Sequence, residues 1–472
     1  MNVPSFAFLG FTLVAAGALA VVRGAYARRV VLVVANLAFL LTFAPTPADL
    51  APFAGLLVLG YSCLACAQRH GRRPPLWPLV VALLLPFCVL KRYAFVPPAL
   101  TLHATYVTVG MSYVFFRIMH LIVDARQDAL RERMSVLSYV SYTLNFTSLV
   151  SGPIQLYPDY RRTESEAPLG IDAAGVAFAA ERIIVGFFKV LVISPLLAAA
   201  HGWSIAALLG AVPSVERVGL AALVVGIFPL ALYANFSGYT DFVIGCARLL
   251  GLRLPENFDR PFTSTGFIEF WSRWHMTLSN WLKTYVYSPL VLGLMRRFPD
   301  RSLAPPFGVL AFFVTFFLVG AWHGSTAMFL VFGVLQGAGV AGNKVYQMFM
   351  VARLGRKRYA ALCRHPSYAA VSRAVTFAYF AFTLLWFWAT PNELAVIASR
   401  VGAATALAVL VLVAAVAVPL LTLATIAPEV GARVGTRGPY VRLGWCTALA
   451  TVVVSVAVVL QAPAAQIIYK GF

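Results

Sequence analysis

Residues 307–342 read FGVLAFFVTFFLVGAWHGSTAMFLVFGVLQGAGVAG, and this stretch decides the class of fold. Phe312–Gly320 and Ala327–Gly333 are apolar, so Trp322-His323-Gly324 falls near the middle or the end of a membrane segment. An ionisable group at that depth is costly and is read first as a functional one. The rest of the chain agrees with a bilayer setting. Of 472 residues, 61% are hydrophobic and 11% charged, with a mean hydropathy of +0.82, where soluble domains carry about a quarter charged residues. Because a helix crosses the hydrocarbon core with roughly 17 to 25 apolar residues, the expected fold is all-α: a polytopic transmembrane helical protein of about 10–13 spans, some re-entrant or broken. The chain reads as a single membrane domain over residues 1–472, with its central motif region at about 235–340.

Working outward, further apolar spans fall near 5–22, 30–45, 50–67, 76–90, 104–123, 176–200, 218–234, 276–294, 371–389, 394–424 and 443–461. The net charge of +20 is carried by short clusters between spans. That pattern argues against a nucleic-acid partner, which calls for a continuous basic face. Arg23, Arg28 and Arg29 form one cluster, Arg69, Arg72 and Arg73 a second, and Arg126, Arg131 and Arg133 a third. The loop Pro45–Leu50 has no basic residue, so the positive-inside bias places the clusters in the cytoplasm and the N-terminus outside. Ser5–Val22 has no Lys or Arg before it and is expected to be a retained helix rather than a cleaved signal. Among six cysteines only Cys63 and Cys66 have redox or metal spacing. Inside an apolar span they read as small buried residues, and no disulfide, zinc or other metal is expected.

Two regions depart from simple spans. Asn145, Thr147, Ser148, Ser151, Gly152 and Pro153 interrupt an apolar segment, which is tolerated only where protein or a water-filled cavity surrounds the backbone. A re-entrant element around Ser151-Gly152-Pro153-Ile154 is expected there. Between Asn235 and Ser288 charged residues are packed among aromatic ones, and Pro255 with Pro261 breaks any continuous helix. This segment reads as a functional insert.

Seven histidines are candidates for proton transfer. His70 and His365 lie in basic loops, His103 stands before a helix, and His201 has an interfacial context beside Trp203. His120 and Asp124 are four apart and read as a structural pair on one helical face. His323 is the strongest candidate, since imidazole titrates near neutrality and can take a proton from a hydroxyl. Gly324 would let a substrate approach the backbone, and Trp322 would form an apolar wall. The competing reading of His323 is a buried histidine that ties two helices together. His275 sits in Phe270-Trp271-Ser272-Arg273-Trp274-His275-Met276-Thr277-Leu278-Ser279. As one helix, this string would put Trp271, Trp274, His275 and Leu278 on one face, and an interfacial amphipathic helix is the alternative reading.

At these residues the sequence resembles the membrane-bound O-acyltransferase family, in its bacterial branch of alginate O-acetylation proteins and teichoic acid D-alanyl transferases. Asn235-Phe236-Ser237-Gly238-Tyr239-Thr240-Asp241 is similar to that branch's Asp-Phe-Ser-Gly-Tyr-x-Asp motif, followed by Leu254-Pro255-Glu256-Asn257-Phe258. Phe270-Trp271-x-Arg273-Trp274-His275-x-Thr277-Leu278-Ser279 resembles its most recognisable string, and Trp322-His323-Gly324 its histidine motif, 48 residues after His275. Ser151-Gly152-Pro153-Ile154 and the ending Ile467-Ile468-Tyr469 also resemble the branch. Two departures stand out. Asn235 replaces the usual Asp, and Gln336 precedes Gly337 where the branch often has His-Gly, so neither a charge at 235 nor catalysis by residue 336 is expected.

The resemblance implies helices around a central tunnel, with the donor reached from the cytoplasm and the acceptor on the outer side. It implies a membrane O-acyltransferase of the bacterial inner membrane that moves an acyl group, most simply acetyl, from a thioester to a hydroxyl of a cell-envelope polysaccharide or of a partner protein. His323 and His275 are the implied catalytic residues, with Trp322, Gly324, Trp274, Arg273, Ser279, Asn235 and Asp241 binding or supporting. No bound cofactor is implied; the donor would be acetyl-CoA or an acyl carrier protein thioester. The implied partners are membrane lipid and an extracytoplasmic acyltransferase. A transporter or lipid flippase would also use broken helices and intramembrane histidines, but predicts two related halves, which the sequence does not display. A scaffold without catalysis predicts that both histidines are replaceable.

Overall fold

The computed structural model describes residues 1–69, 75–102, 106–130, 132–166, 172–210, 214–435 and 439–459. The readings placed on His70, Arg72, Arg73, His103, Arg131 and Ile467-Ile468-Tyr469 lie outside these residues. Among the described residues the only β-type pairing is an isolated bridge between Phe258 and Trp274. Among the described residues eight helices are long and apolar enough to cross a bilayer: Pro47–Ala67, Ala173–Leu209, Glu216–Leu249, Arg301–His323, Ala327–Arg364, Pro366–Trp388, Thr405–Thr425 and Tyr440–Val458. Phe6–Val21 and Leu76–Leu90 are shorter apolar helices. The protein is all-α and multi-pass, as helices satisfy every backbone group without help from lipid.

The chain folds into two compact units, one formed by Met1–Phe187 with Gly238–Glu256 and the other by Phe188–Ser237 with Asn257–Leu460. In the first, Ser5 caps the opening helix by accepting a hydrogen bond from the Phe8 N–H at 3.1 Å. Phe8 then packs its ring against Phe39, Phe146 and Phe242 at 5.2, 5.6 and 5.8 Å, so this helix is part of the unit's core.

The chain is irregular from Leu144 to Leu156, and Leu144–Gln155 are all buried. Its backbone groups are met by protein instead of water. Asn36 accepts from the Phe146 N–H at 2.8 Å, and the Tyr239 hydroxyl accepts from the Ser151 N–H at 3.0 Å. Arg117, 1% exposed, donates to the carbonyls of Thr143 and Ser148, both at 2.8 Å, and to the Ser148 hydroxyl at 2.7 Å. A guanidinium with five donors replaces the missing helical bonds, and these carbonyls offset the cost of burying its charge. The His120–Asp124 pair forms at 3.0 Å beside this element, and His120 Nε2 accepts from the Tyr157 N–H at 3.3 Å.

The second unit is organised around Leu208, Val224, Phe377, Ala381, Leu385 and Val413, contributed by five helices. The elements differ from the sequence expectation at two places. The Ser214–Leu249 helix runs on through Asn235, where the insert was expected to begin. Asn235, Ser237, Thr240 and Asp241 are all buried, so protein surrounds these side chains and the helix continues. The basic stretch Arg353–Arg364 is helical too, joined to the preceding span through Gly355, whose φ of 75° interrupts the axis. The long 394–424 segment divides at Gly402, at φ 73°. His201 is buried against Trp388 and Phe228, at ring distances of 4.7 and 5.4 Å.

Candidate active site

His323 is the last residue of the Ala304–His323 helix, and Ala327–Arg364 returns directly against it. The two helices meet through glycines. A Cβ on Gly320 would lie 2.3 Å from the Gly333 backbone, and one on Gly333 would lie 2.5 Å from the Phe317 carbonyl oxygen. Small residues are what let two membrane helices approach to backbone contact. The turn between them holds the imidazole in place. His323 is 3% exposed, with its ring 4.7 Å from Trp322, 5.1 Å from Phe387 and 5.8 Å from Phe332. At Gly324 the Phe329 ring fills the space where a Cβ would stand, so the missing side chain admits Phe329.

His275 occupies a break. Phe267–Arg273 and Met276–Leu282 are separate helices, and His275 joins them at φ 44°, ψ 51°. The string is therefore not one helix, and the alternative reading of a continuous amphipathic helix does not hold. A non-glycine residue in the left-handed region persists only where its surroundings over-determine it. Here the segment after Pro255 supplies the constraint. The Met276 N–H donates to the Asn257 carbonyl at 2.9 Å, and the Asp259 N–H donates to the Arg273 carbonyl at 3.0 Å. The Thr277 hydroxyl donates to Asn257 Oδ1 at 2.6 Å. Trp274, 1% exposed, fills an aromatic box with Phe258 at 5.1 Å, Phe380 at 5.1 Å and Phe270 stacked at 5.6 Å. Ser279 donates to the Trp274 carbonyl at 3.3 Å, closing the C-terminal side of the break.

The two histidine motifs converge in the second unit. The Trp322 indole is in ring contact with His323 and, at 6.2 Å and 25°, with His275. On its other side His275 packs against Phe236 at 4.9 Å. His275 lies outside the eight spans, and burial pushes its imidazole down to about 3. It is neutral at ordinary pH.

The supporting residues divide. Asn235 is buried next to Phe236 on the same helix, within the second unit. Arg273 reaches Glu269 at 2.8 Å and donates to the Thr263 hydroxyl at 3.2 Å, bracing the helix before the break. Asp241 belongs to the first unit, where Arg182 bridges it to Glu256, both contacts at 2.8 Å. Among the described residues no three metal-ligating side chains converge.

The family model described as MBOAT, membrane-bound O-acyltransferase family, matches residues 100–363, more than half of the chain and including both histidine motifs. The chain belongs to the membrane-bound O-acyltransferase family. It is 28% identical over 293 residues to a teichoic acid D-alanyltransferase of Bacillus subtilis, covering 59% of this chain and 70% of that protein. It is 27% identical over 311 residues to the probable alginate O-acetylase AlgI of Pseudomonas aeruginosa, covering 61% of this chain and 56% of the relative. Similarity to a peptidoglycan O-acetyltransferase of Helicobacter pylori is 28% over 217 residues, 44% of this chain and 38% of the relative. The chain thus spans about half the length of most curated relatives it matches. O-acyl transfer is the activity that membership of the O-acyltransferase family carries.

Sequence reasoning names Gln336 and Asn257 but does not reveal what they hold together. Gln336, fully buried, accepts from Trp271 Nε1–H at 3.1 Å and donates to the Thr383 hydroxyl at 2.7 Å, tying three helices together. Asn257, also fully buried, sets the break at His275. A polar side chain inside an apolar run was the available signal for Gln336; the string Leu254–Phe258 was noted, but not which residue in it carries the hydrogen bonds.

Proposed function

We propose that this protein is an inner-membrane enzyme that moves a short acyl group from a cytoplasmic thioester to a hydroxyl of an envelope polysaccharide or of an extracytoplasmic partner protein. The observation that carries the reading is the contact of two buried histidines, His323 and His275, with one indole, Trp322, within motifs of an O-acyltransferase.

In this mechanism His323 is the general base. The acceptor oxygen attacks the thioester carbonyl carbon as its proton passes to the His323 imidazole. The tetrahedral adduct collapses with cleavage of the C–S bond, and the proton leaves on the thiolate, giving an ester and a thiol. General-base assistance supplies about 10²- to 10⁴-fold, and holding the two reactants in line supplies the larger share. His275, neutral in its pocket, orients the acyl carbonyl by hydrogen bonding and carries no charge of its own. Arg273 and Trp274 act through the break that positions His275.

The acyl group is taken to be short because a nearby cavity is small. It measures about 180 Å³ and is lined by Trp271, Ser279, Lys283, Phe312 and Phe316 among others, where drug-sized sites run to about 300–1,000 Å³. Phe316 and His323 are two helical turns apart on one helix, roughly 10 Å along its axis. Acetyl-CoA or an acyl carrier protein thioester would supply such a group.

The test is acyl transfer from acetyl-CoA and from an acyl carrier protein by purified protein in liposomes. Folded His323→Ala protein should lose transfer; transfer at the wild-type rate would overturn the assignment. Transport of a lipid or polysaccharide without any acylation by the wild type would overturn the enzyme reading itself.

A further inference from the structure

The first unit holds a cavity of about 490 Å³ whose lining includes neither His323 nor His275. Its charged lining is Arg29, Arg133, Arg161 and Glu132. Arg29 is fixed by a two-pronged contact to Glu164, at 2.9 and 2.8 Å, through two of its three nitrogens. Arg161 stands 3.7 Å from Glu132, whose side chain is 82% exposed, a pairing that water screens heavily. No described carboxylate pairs with Arg133.

The wall that carries Arg133 is built, not loose. Gln68 donates to the Glu132 carbonyl at 3.1 Å and accepts from the Met134 N–H at 3.3 Å. The Tyr61 hydroxyl donates to the Met134 carbonyl at 3.2 Å. Residues on both sides of Arg133 are therefore anchored to the helix Ala51–Ala67 and its end. Ser135 and Ser138, from the start of the Val136–Thr143 helix, add hydroxyls to the lining.

Glu164 answers Arg29, but exposed Glu132 offsets little of the charge on Arg161 and Arg133, so these two guanidiniums leave the lining net positive. A tetrahedral phosphate offers oxygens on several sides and matches guanidinium forks in both charge and geometry. We infer that this cavity binds the phosphate of a phosphorylated ligand, supplied either by a soluble phosphopantetheine-bearing thioester or by an anionic phospholipid headgroup. Arg29 and Arg133 belong to clusters expected on the cytoplasmic side, which both sources can reach.

The experiment compares wild type with the R133A/R161A double variant and with Arg133→Gln alone, leaving Arg29 in place because its loss would also break the pair with Glu164. Coenzyme A binding is measured by calorimetry in detergent, and phosphatidylglycerol against phosphatidylcholine retention by native mass spectrometry. Wild type should bind coenzyme A or retain phosphatidylglycerol. The double variant, with unchanged melting temperature, should lose about tenfold or more of that affinity, as expected for two charge-assisted contacts, and Arg133→Gln a smaller part of it. Loss of coenzyme A identifies the soluble source, and loss of phosphatidylglycerol the lipid. Wild type that binds neither, or variants that bind both as tightly as wild type, would overturn the inference. Because His323→Ala should bind normally while failing in transfer, failure of the cavity and failure of the general-base reading remain separate results.

Discussion

His323 is the one ionisable side chain between Phe307 and Gly342, and aromatic rings enclose it. Replacing it by Ala removes a proton acceptor but no apolar span. His323→Ala should therefore insert and melt like wild type yet lose acyl transfer on the order of 10²- to 10⁴-fold, read as single-turnover rates. His275→Ala should lose less if His275 only orients the acyl carbonyl. An equal or greater loss would make it the base. Gln336 makes a contrasting prediction. Gln336→Leu strands the Trp271 N–H in a dry interior, so it should cost about 1–3 kcal/mol of stability, seen as a lower melting temperature in detergent. Any fall in transfer should follow the loss of folded protein. Its two hydrogen bonds are purely tertiary, and the substitution of Gln for the family's frequent His gave no hint of them.

At the scale of elements, the hairpin that ends in His323 depends on backbone contact and the break at His275 on a clamp. Gly333→Val places methyl groups where the Phe317 carbonyl and Gly320 already stand, and should sharply reduce folded yield. Gly342→Ala on the same helix is the control: nothing lies within 4 Å of its added methyl, and a mid-helix Gly→Ala change gains about 0.5–1 kcal/mol. Fluorescence-detected size-exclusion chromatography distinguishes the two. The spans themselves were legible, since apolar length alone demands a helix in hydrocarbon. The break at Trp274-His275 was not. Its local sequence is compatible with helix, and Asn257, eighteen residues upstream, is what holds it open.

For the whole molecule, the arginine clusters predict an orientation. In intact cells a cysteine at Pro45 should react with an impermeant reagent, while cysteines at Arg28 and Arg133 should react only after permeabilisation, in a background freed of other accessible cysteines. The reverse pattern would invert the topology and move the Arg29–Arg133 cavity to the outer face. The sequence by itself determined that the chain is helical and membrane-spanning, because composition and apolar length are summed properties that need no partner. It also carried the family's motifs and pointed to His323, because a lone imidazole in an apolar run is costly wherever the run packs. Only the tertiary structure decided that Trp322 touches both histidines, that Gly324 admits Phe329, and that Asp241 answers Arg182 in the first unit. Each depends on how the chain turns back on itself, and the contacts of Trp322 with His275 and of Asp241 with Arg182 join residues far apart in the chain, so their energies depend on distance and burial, which linear order does not contain.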